Sequence, residues 1–370
     1  MSAAVRLQVT ATDGDARAGL LHTPRGAVRT PTFMPVGTRG AIVHLDANDY
    51  EAFDERLRPD VVLGNTYHLM LRPGADVIER LGGLHGFTSW DGHLLTDSGG
   101  YQVMSLEPKV DDDGVTFRST YDGDVVHFTP EEAVRVQSQL GADIQMVLDV
   151  CPPYPSEPDV VRLAMDRTHA WAARARDAHR REDQALFGIV QGYLDPELRA
   201  ESAAALAELD FTGHGIGGLS VGEPRELMLP AIEAVVDVLP QAKPRYLMGV
   251  GDPASIVEAV ARGVDMFDCV LPTRLARHGT LLTAAGKINM RNAKHADVDE
   301  PIDPAGTHPA CERFSRAYLR HLLLVKEPTA GRILTLHNLW FLLDLVARVR
   351  EAVAGGTFEA LRAEVMEVWA

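Results

Sequence analysis

Short apolar or β-branched segments alternate along the chain with segments whose apolar residues recur at helical spacing. Amphipathic helices are predicted between the apolar segments, and in one of them Thr129 stands as N-cap with Glu132 three residues on. Eight segments have the length and composition of buried strands: PTFMPVG (31–37), VVLGNTY (61–67), HLLTDSG (93–99), IQMVLDV (144–150), ALFGIVQG (185–192), HGIGGLSV (214–221), PRYLMGVG (244–251) and MFDCVLP (266–272).

This alternation of strands and helices predicts an α/β fold, a (β/α)8 TIM-type barrel. A doubly wound open sheet is the alternative, but the chain has no G-x-G-x-x-G or Walker pattern after its first strand, and we expect no organic cofactor. Residues 109–130 predict a β-hairpin insertion with DG turns. We expect one catalytic domain, 1–370, in which 301–345 form a helical subdomain and 346–370 a C-terminal helix.

Composition and charge indicate the cellular compartment of the protein and the kinds of partner it can bind. Apolar residues make up 46% of the 370 residues, enough for a large core. The three cysteines cannot form a disulfide framework, and neither a signal peptide nor a membrane-spanning run occurs, so we expect a cytoplasmic protein without a membrane partner. The net charge of −16 argues against a nucleic-acid partner, but the stretch 274–294 has five basic residues and no acidic one. A solvated charged face is the alternative reading of that stretch.

Polar residues recur where the predicted strands end, which is where barrel enzymes place their chemistry. A single aspartate at a strand end usually caps a helix or lies in a turn. Three aspartates joined by the motifs GIVQG, GGLSVGE and LMGVGDP are harder to explain in that way. Glycines let a flat ligand approach the backbone, and Asp and Gln match the edges of a polar heterocycle. The residues concerned are Asp97, Asp149, Gln191, Gly217, Gly218, Met248, Gly249 and Asp268.

Seven motifs across nearly the whole chain resemble those of the tRNA-guanine transglycosylases, in the same order. They are TDSGGYQVMSL (96–106), MVLDVCPPYP (146–155), GIVQG (188–192), GGLSVGE (217–223), YLMGVGDP (246–253), DMFDCVLPTR (265–274) and LTLHN (334–338). The resemblance implies an irregular (β/α)8 barrel with a zinc-carrying insertion. It also implies a pentosyltransferase of queuosine biosynthesis that replaces the wobble guanine of tRNAs with GUN anticodons (Asp, Asn, His and Tyr).

The resemblance implies a double displacement with a covalent enzyme–RNA intermediate. Asp268 corresponds to the nucleophile, and Asp97 to the acid/base that manages protons on the departing and incoming bases. Asp149, Gln191 and the backbone of Gly218 would read the guanine edges, between Tyr101 and Met248. The implied substrate-binding residues are Asp97, Ser98, Gly99, Gly100, Tyr101, Asp149, Gln191, Gly218, Leu219, Glu223 and Met248.

The incoming base is implied by the walls of the pocket. Val221 and Cys151 match the bacterial pattern, which has no space for queuine and takes 7-aminomethyl-7-deazaguanine. Leu219, through its carbonyl, and Glu223 would handle the substituent. Val150 departs from many bacterial members, which have an acid at this position.

The tRNA anticodon loop is the implied macromolecular partner, and the family commonly works as a homodimer. Apolar faces in 339–346 and 360–369 are candidates for a dimer contact, although core packing explains them equally well. The implied RNA-binding residues are Gly249, Val250, Gly251, Asp252, Pro253, Ala254, Ser255, Thr273, Arg274, Leu275, Ala276 and Arg277.

The family's zinc site has three cysteines and a histidine, and this chain departs from it. Gly306 and His308 stand in place of the first two cysteines, whereas Cys311 and His337 keep the family spacing. His308, Cys311 and His337 can still hold zinc with water or Asp303 as a fourth ligand. The alternative is a loop without metal, in which packing holds the chain and His337 is a core residue.

Three other functions compete with base exchange. A non-catalytic RNA-binding homologue would lack the nucleophile, but Asp268 and Asp97 are both present. A glycoside hydrolase would be expected to expose tryptophans as sugar platforms, yet none of the four tryptophans lies in the motifs. A paralogue that modifies DNA is distinguished only by comparing substrates.

Overall fold

The computed structural model describes residues 5–51, 53–304, 306 and 309–370. The chain begins with a three-stranded antiparallel sheet that the sequence did not predict, made of β1 (Arg6–Asp13), β2 (Ala16–Thr23) and β3 (Gly26–Thr30). Arg17 of β2 forms a buried ion pair of 2.6 Å with Asp265, one residue before a barrel strand. The Thr23 hydroxyl and His93 Nε2 form a hydrogen bond of 2.9 Å, and His93 is the first residue of another barrel strand. This sheet therefore covers the end of the barrel at which the strands start.

Eight parallel strands close the barrel, and the last pairs with the first. Each falls within one of the eight predicted segments or extends one residue beyond it, so the predicted barrel is confirmed and the open sheet is excluded. Their near-continuous burial is typical of strands covered on both faces. In the order of pairing they are β4 (Thr32–Gly37), β5 (Val61–Gly64), β6 (His93–Thr96), β10 (Ile144–Met146), β11 (Ala185–Val190), β12 (Gly213–Ile216), β13 (Arg245–Leu247) and β14 (Met266–Cys269).

Helices follow the strands and surround them. Several begin in the same way, with an N-cap side chain and a proline at the first helical position. Thr129 accepts the Glu132 N–H at 3.2 Å, as the sequence predicted, and Asp195 and Asp252 cap their helices similarly. The helices up to the last barrel strand are α1 (Ala47–Glu51), α2 (Thr66–Leu69), α3 (Ala75–Arg80), α4 (Gly83–Thr88), α5 (Gly100–Met104), α6 (Pro130–Leu140), α7 (Pro158–Ala178), α8 (Pro196–Glu208), α9 (Arg225–Val236) and α10 (Pro253–Val260), with a π-helical turn at Met70–Gly74.

The predicted insertion is a small antiparallel sheet of three strands, β7 (Lys109–Val110), β8 (Val115–Arg118) and β9 (Val125–Phe128). After the barrel a second hairpin, β15 (Thr280–Thr283) and β16 (Gly286–Asn289), was not predicted.

The chain beyond the last barrel strand is mostly helical. It contains α11 (Leu271–Arg277), a 3-10 turn (Ala293–His295), α12 (Pro309–Arg313), α13 (Arg316–Leu324), α14 (Pro328–Gly355) and α15 (Phe358–Trp369). Gly356, with φ of +67°, separates α14 from α15 within the segment predicted as one helix, 346–370. Most apolar residues of 339–346 are buried, so core packing explains that apolar face. No helix in the described part of the chain is long and apolar enough to span a bilayer.

Candidate active site

A cavity of about 320 Å³ opens at the carboxyl ends of the barrel strands. It brings together most of the residues singled out by the motifs, although they are dispersed over some 170 positions of the chain. Its polar lining includes Asp97 after β6, Asp149 after β10 and Asp268 in β14. Also in its lining are Ser98, Gly99, Gly100, Tyr101, Gln102, Cys151, Gly217, Gly218, Leu219, Ser220, Val221, Tyr246, Met248, Gly249, Cys269, Val270 and Arg274.

Asp97 is held by three donors from neighbouring strand ends. Its Oδ2 accepts the Asn65 amide at 2.6 Å, and its Oδ1 accepts the N–H groups of Thr66 at 2.9 Å and Gly99 at 3.0 Å. Burial nevertheless outweighs these bonds and, with the negative charge of Asp268, raises the pKa of Asp97 to about 7. A carboxyl with this pKa can hold or release a proton near neutral pH, as an acid/base catalyst must.

Asp268 has one oxygen occupied and one open. Oδ1 accepts the Tyr246 hydroxyl at 2.6 Å and the Gly249 N–H at 2.7 Å. Among the described residues, no donor reaches Oδ2. Burial raises the pKa of Asp268, and the two donors act against that rise because they stabilise the carboxylate. The oxygen without a donor is therefore available to attack an electrophile at the cavity floor.

Asp149 and Gln191 form a pair on neighbouring strand ends. The Gln191 amide nitrogen donates to Asp149 Oδ2 at 2.7 Å, and both side chains are buried. Burial raises the pKa of Asp149 to about 6. The Gln191 Oε1 atom has no hydrogen-bond partner within the described structure, which is costly unless a ligand supplies one. Asp149 lines the cavity, whereas Gln191 lies outside its lining and contacts it through Asp149.

The Gly217–Gly218 turn allows the chain to pass close to this pair. Gly218 has φ of +64°, and a Cβ atom there would lie 2.3 Å from Gln191 Oε1. A Cβ at Gly217 would lie 2.6 Å from a methyl carbon of Ile189. Glycine is therefore favoured at both positions by the close packing of Ile189 and Gln191 against this turn, and the approach of a flat ligand stays a prediction.

The side walls of the cavity differ in their freedom to move. Tyr101, in α5, is 60% exposed, so its ring is free to cover a planar ligand. Met248 is half-buried against the core on the cavity wall. Glu223 lies behind the wall, where its carboxylate accepts the N–H groups of Ser220 and, at 2.9 Å, Val221. The Glu223 side chain is thus hydrogen-bonded to the backbone of its own loop and is not part of the cavity lining.

The two segments predicted to bind RNA divide into exposed and buried residues. Arg274 and Gly249 are exposed and line the cavity, and Arg277 is exposed at the end of the same helix as Arg274. Pro253 lies in the first turn of α10, and Asp252 caps this helix through the Ser255 N–H at 3.0 Å. Side-chain contacts to a large partner are excluded for the buried members of the two segments, which are Val250, Gly251, Pro253, Ala254, Ser255, Thr273 and Ala276.

The loop at the family's zinc position has a different chemistry. Cys311 Sγ lies 3.0 Å from His337 Nδ1, and His337 Nε2 lies 2.7 Å from the Leu282 carbonyl. A thiolate and an imidazole on one tetrahedral zinc would be about 3.6 Å apart, given Zn–S near 2.3 Å and Zn–N near 2.1 Å. A Cβ at Gly306 would lie 2.8 Å from Cys311 Sγ, so no space remains there for the family's first thiolate.

His308 lies outside the described residues, and within the described ones no group of three metal-ligating side chains occurs. Asp303 is buried in the same loop. Of the three predicted zinc ligands, Cys311 and His337 therefore lie together, and the third is outside the described residues.

Two contributors to the cavity were missed from the sequence. Tyr246 holds the Asp268 carboxylate, and it stands two residues before Met248, on the same face of its strand. This alternation could have identified it, since Met248 was already a candidate. Asn65 follows β5 directly, so the rule that chemistry collects at strand ends also applied to it.

Comparison with known proteins agrees with the motifs. The sequence profile of the queuine tRNA-ribosyltransferase family matches residues 12–370. A queuine tRNA-ribosyltransferase from Herpetosiphon aurantiacus is 52% identical over 94% of this chain and 88% of that protein. Those from Desulforudis audaxviator and Rhizobium meliloti are 51% and 48% identical, over 95% and 100% of this chain and 94% and 98% of theirs. The family and the transferase class predicted from the motifs are thus confirmed. The chain belongs to the queuine tRNA-ribosyltransferase family.

Proposed function

We propose that this chain is a tRNA-guanine transglycosylase of queuosine biosynthesis. It exchanges guanine at the wobble position of tRNAs with GUN anticodons for 7-aminomethyl-7-deazaguanine. The observation that carries the proposal is one cavity with two carboxyls, Asp97 and Asp268, beside the buried Asp149–Gln191 pair. The curated relatives carry the name queuine tRNA-ribosyltransferase over nearly their whole length.

The proposed chemistry is a double displacement at the ribose anomeric carbon. Oδ2 of Asp268 attacks that carbon, the bond to guanine breaks, and the bonding electrons leave with the base. Asp97 gives a proton to the departing base, which its pKa of about 7 permits. The incoming base then loses a proton to Asp97 and displaces the carboxylate from the same face. The two donors on Oδ1 of Asp268 support this role, since they orient the carboxylate and stabilise it when it leaves.

Base selection rests on hydrogen bonds to the purine edge. Asp149 accepts from the ring N–H and exocyclic amine of guanine, a donor pair that guanine-like bases present. Gln191 and the N–H of Gly218 address the carbonyl oxygen. Tyr101 stacks on one face of the ring, a contact worth about 1–3 kcal/mol, and Met248 forms the opposite wall. The exposure of Tyr101 and the pKa of about 6 for Asp149, which leaves it ionised at neutral pH, support these assignments.

The aminomethyl substituent is selected by the Leu219–Ser220 peptide. The Ser220 N–H donates to Glu223 behind the wall, and a trans peptide directs its carbonyl the opposite way. The Leu219 carbonyl therefore faces the cavity, where it accepts a hydrogen bond from an ammonium group. Val221 and Cys151 also line the cavity and limit the space for a larger substituent.

The anticodon loop binds across the mouth of the cavity. Arg274 lines the cavity and Arg277 lies at the end of the same helix; both are exposed and carry no ion pair to a described carboxylate. A single-stranded loop lets the target base leave its stack at low cost. We further propose that the enzyme works in the cytoplasm as a homodimer. Three exposed apolar residues support a protein contact: Tyr318 in the first turn of α13, Leu324 at its end and Val325 just beyond it.

A base-competition assay tests the proposal. Full-length protein is incubated with unmodified tRNA that has a wobble guanine, together with labelled 7-aminomethyl-7-deazaguanine or labelled queuine. We expect incorporation of the aminomethyl base and little of queuine. Equal incorporation of queuine would refute the assignment of the pocket walls. Release of guanine without replacement would instead favour a hydrolase.

A further inference from the structure

Arg199 is a buried cation behind the base pocket that the proposed chemistry does not use. It is fully buried in α8 and donates only to backbone carbonyls. Nε donates to Tyr193 O at 2.6 Å, and Nη1 donates to Val190 O at 3.1 Å and to Gly217 O at 2.6 Å. Nη2 donates to Gly218 O at 3.2 Å. Among the described residues, no carboxylate forms an ion pair with this guanidinium.

This placement is unfavourable for stability on two grounds. A buried cation without a directly paired carboxylate loses its hydration and gains only partial compensation from carbonyl dipoles and, here, from the charge of Glu223, which does not reach hydrogen-bond contact with it. Arg199 also stands in the first turn of α8, at the positive end of the helix dipole. Burial accordingly lowers the pKa of Arg199 to about 10. Such conflicts with local stability are expected at functional sites, where the residue serves the site rather than the fold.

The geometry connects Arg199 to the base pocket through one peptide group. The Gly217 carbonyl and the Gly218 N–H are the two ends of the same planar trans peptide, so they point in opposite directions. Arg199 holds the carbonyl from behind. The N–H is thereby directed away from Arg199, and it reaches the thiol of Cys151, which lines the cavity.

We propose that Arg199 is a positioning residue for base recognition, which fixes the Gly217–Gly218 peptide so that its N–H donates to the carbonyl oxygen of the purine. This inference rests on the proposed function. A cation bound to the carbonyl also polarises the peptide and strengthens its N–H as a donor. When the bond to ribose breaks, negative charge develops on the leaving base and part of it reaches that carbonyl oxygen. The donor is then strongest where the charge appears.

Lysine cannot replace arginine in this role. A guanidinium has five donors in a rigid planar fork, and here it contacts four carbonyls from two chain segments, 190–193 and 217–218. An ammonium keeps the charge but not this geometry. Arg199→Lys therefore separates charge from positioning, and Arg199→Gln keeps one amide donor without charge.

The test compares guanine with a base that has no carbonyl. Guanine and 2-aminopurine, which lacks the carbonyl oxygen and the ring N–H beside it, are titrated against full-length wild type, Arg199→Lys and Arg199→Gln. The Asp149 side chain is unchanged in these variants, so the missing ring N–H weakens 2-aminopurine equally in all three proteins and the difference between them reports on the carbonyl contact. The control is Arg162→Lys, which alters an exposed arginine paired with Glu201 of α8. Circular dichroism selects the variants that fold, and either Arg199 variant is sufficient for the test.

We expect each folded Arg199 variant to bind guanine roughly 10-fold or more weakly, which corresponds to the loss of one charge-assisted hydrogen bond. The affinity for 2-aminopurine should change much less, so the preference for guanine falls. Equal weakening of both bases, or an unchanged preference, would overturn the inference. A wild type without a preference for guanine would instead contradict the proposed function itself.

Discussion

The Tyr246 hydroxyl donates to Oδ1 of Asp268 at 2.6 Å, and the same oxygen accepts the Gly249 N–H at 2.7 Å. Both donors bind one oxygen, so the carboxylate is held in a single orientation with Oδ2 toward the cavity. Tyr246 is buried, which makes this bond stronger than a comparable bond in water. These two hydrogen bonds explain how the Asp268 carboxylate, in a short strand, keeps its other oxygen available for attack.

Tyr246→Phe should slow the reaction without preventing tRNA binding. Loss of one hydrogen bond to a charged group predicts a fall in kcat of about 10- to 100-fold, with little change in KM for tRNA. The bond stabilises the carboxylate, so its loss raises the pKa of Asp268 and moves the acid limb of the pH–rate profile to higher pH. Tyr50→Phe, at a buried tyrosine outside the cavity lining, is the control. A variant with wild-type kcat and an unmoved acid limb would contradict this role.

Asp97 makes the stability of the protein depend on pH. Its pKa is about 7 in the folded chain and about 3.9 in an unfolded one. Between these values the folded state binds a proton that the unfolded state has released, so this contribution to stability is lost as pH rises through 7. The Tm of Asp97→Asn minus the Tm of wild type should therefore be larger at pH 8 than at pH 5.

The control for this measurement is Asp159→Asn, at an exposed position. If the Tm difference between Asp97→Asn and wild type is the same at both pH values, the raised pKa of Asp97 is wrong.

The affinity for tRNA should fall steeply with salt, although the chain carries a net charge of −16. Each phosphate neutralised by a basic residue contributes about 0.7–0.9 to the slope of log K against log salt concentration. Arg274→Gln and Arg277→Gln should each reduce that slope by about this amount. Arg176→Gln, at an exposed position on α7, should leave it unchanged. A flat salt dependence in the wild type would rule out this basic surface as the RNA site.

The loop around Cys311 should be stable without zinc, because Cys311 and His337 are at hydrogen-bond distance, 3.0 Å. We expect purified protein to contain far less than one zinc per chain and its Tm to be unchanged by a chelator. Cys311→Ala should lower Tm, since it removes a buried side chain and its bond to His337. One zinc per chain together with a lower Tm after chelation would show that the metal is retained.

The barrel was predictable because its strands are buried on both faces and stand out as apolar runs between amphipathic helices. The N-terminal sheet was missed for the opposite reason. β1 is mostly exposed, with Leu7 as its only buried residue, so it does not stand out as an apolar run. The DG turn that follows it, in which Gly14 has φ of +61°, is the one hairpin signal in this part of the sequence.

The site was predictable where function places polar residues at strand ends, as for Asp97 and Asp268. Tyr246 was missed because an aromatic ring inside a strand is usually a core residue. Arg199 was missed because an arginine on an amphipathic helix is usually solvated, and only the folded structure shows that it faces the Gly217–Gly218 peptide.

The central claim is that Asp268 forms the covalent bond through which one base replaces another. Incorporation of labelled 7-aminomethyl-7-deazaguanine into tRNA with a wobble guanine, compared between wild type and Asp268→Asn, tests it most directly. We predict incorporation of one base per tRNA by the wild type and none by Asp268→Asn, whose amide is not a nucleophile. Incorporation by Asp268→Asn at a rate near that of the wild type would contradict the claim.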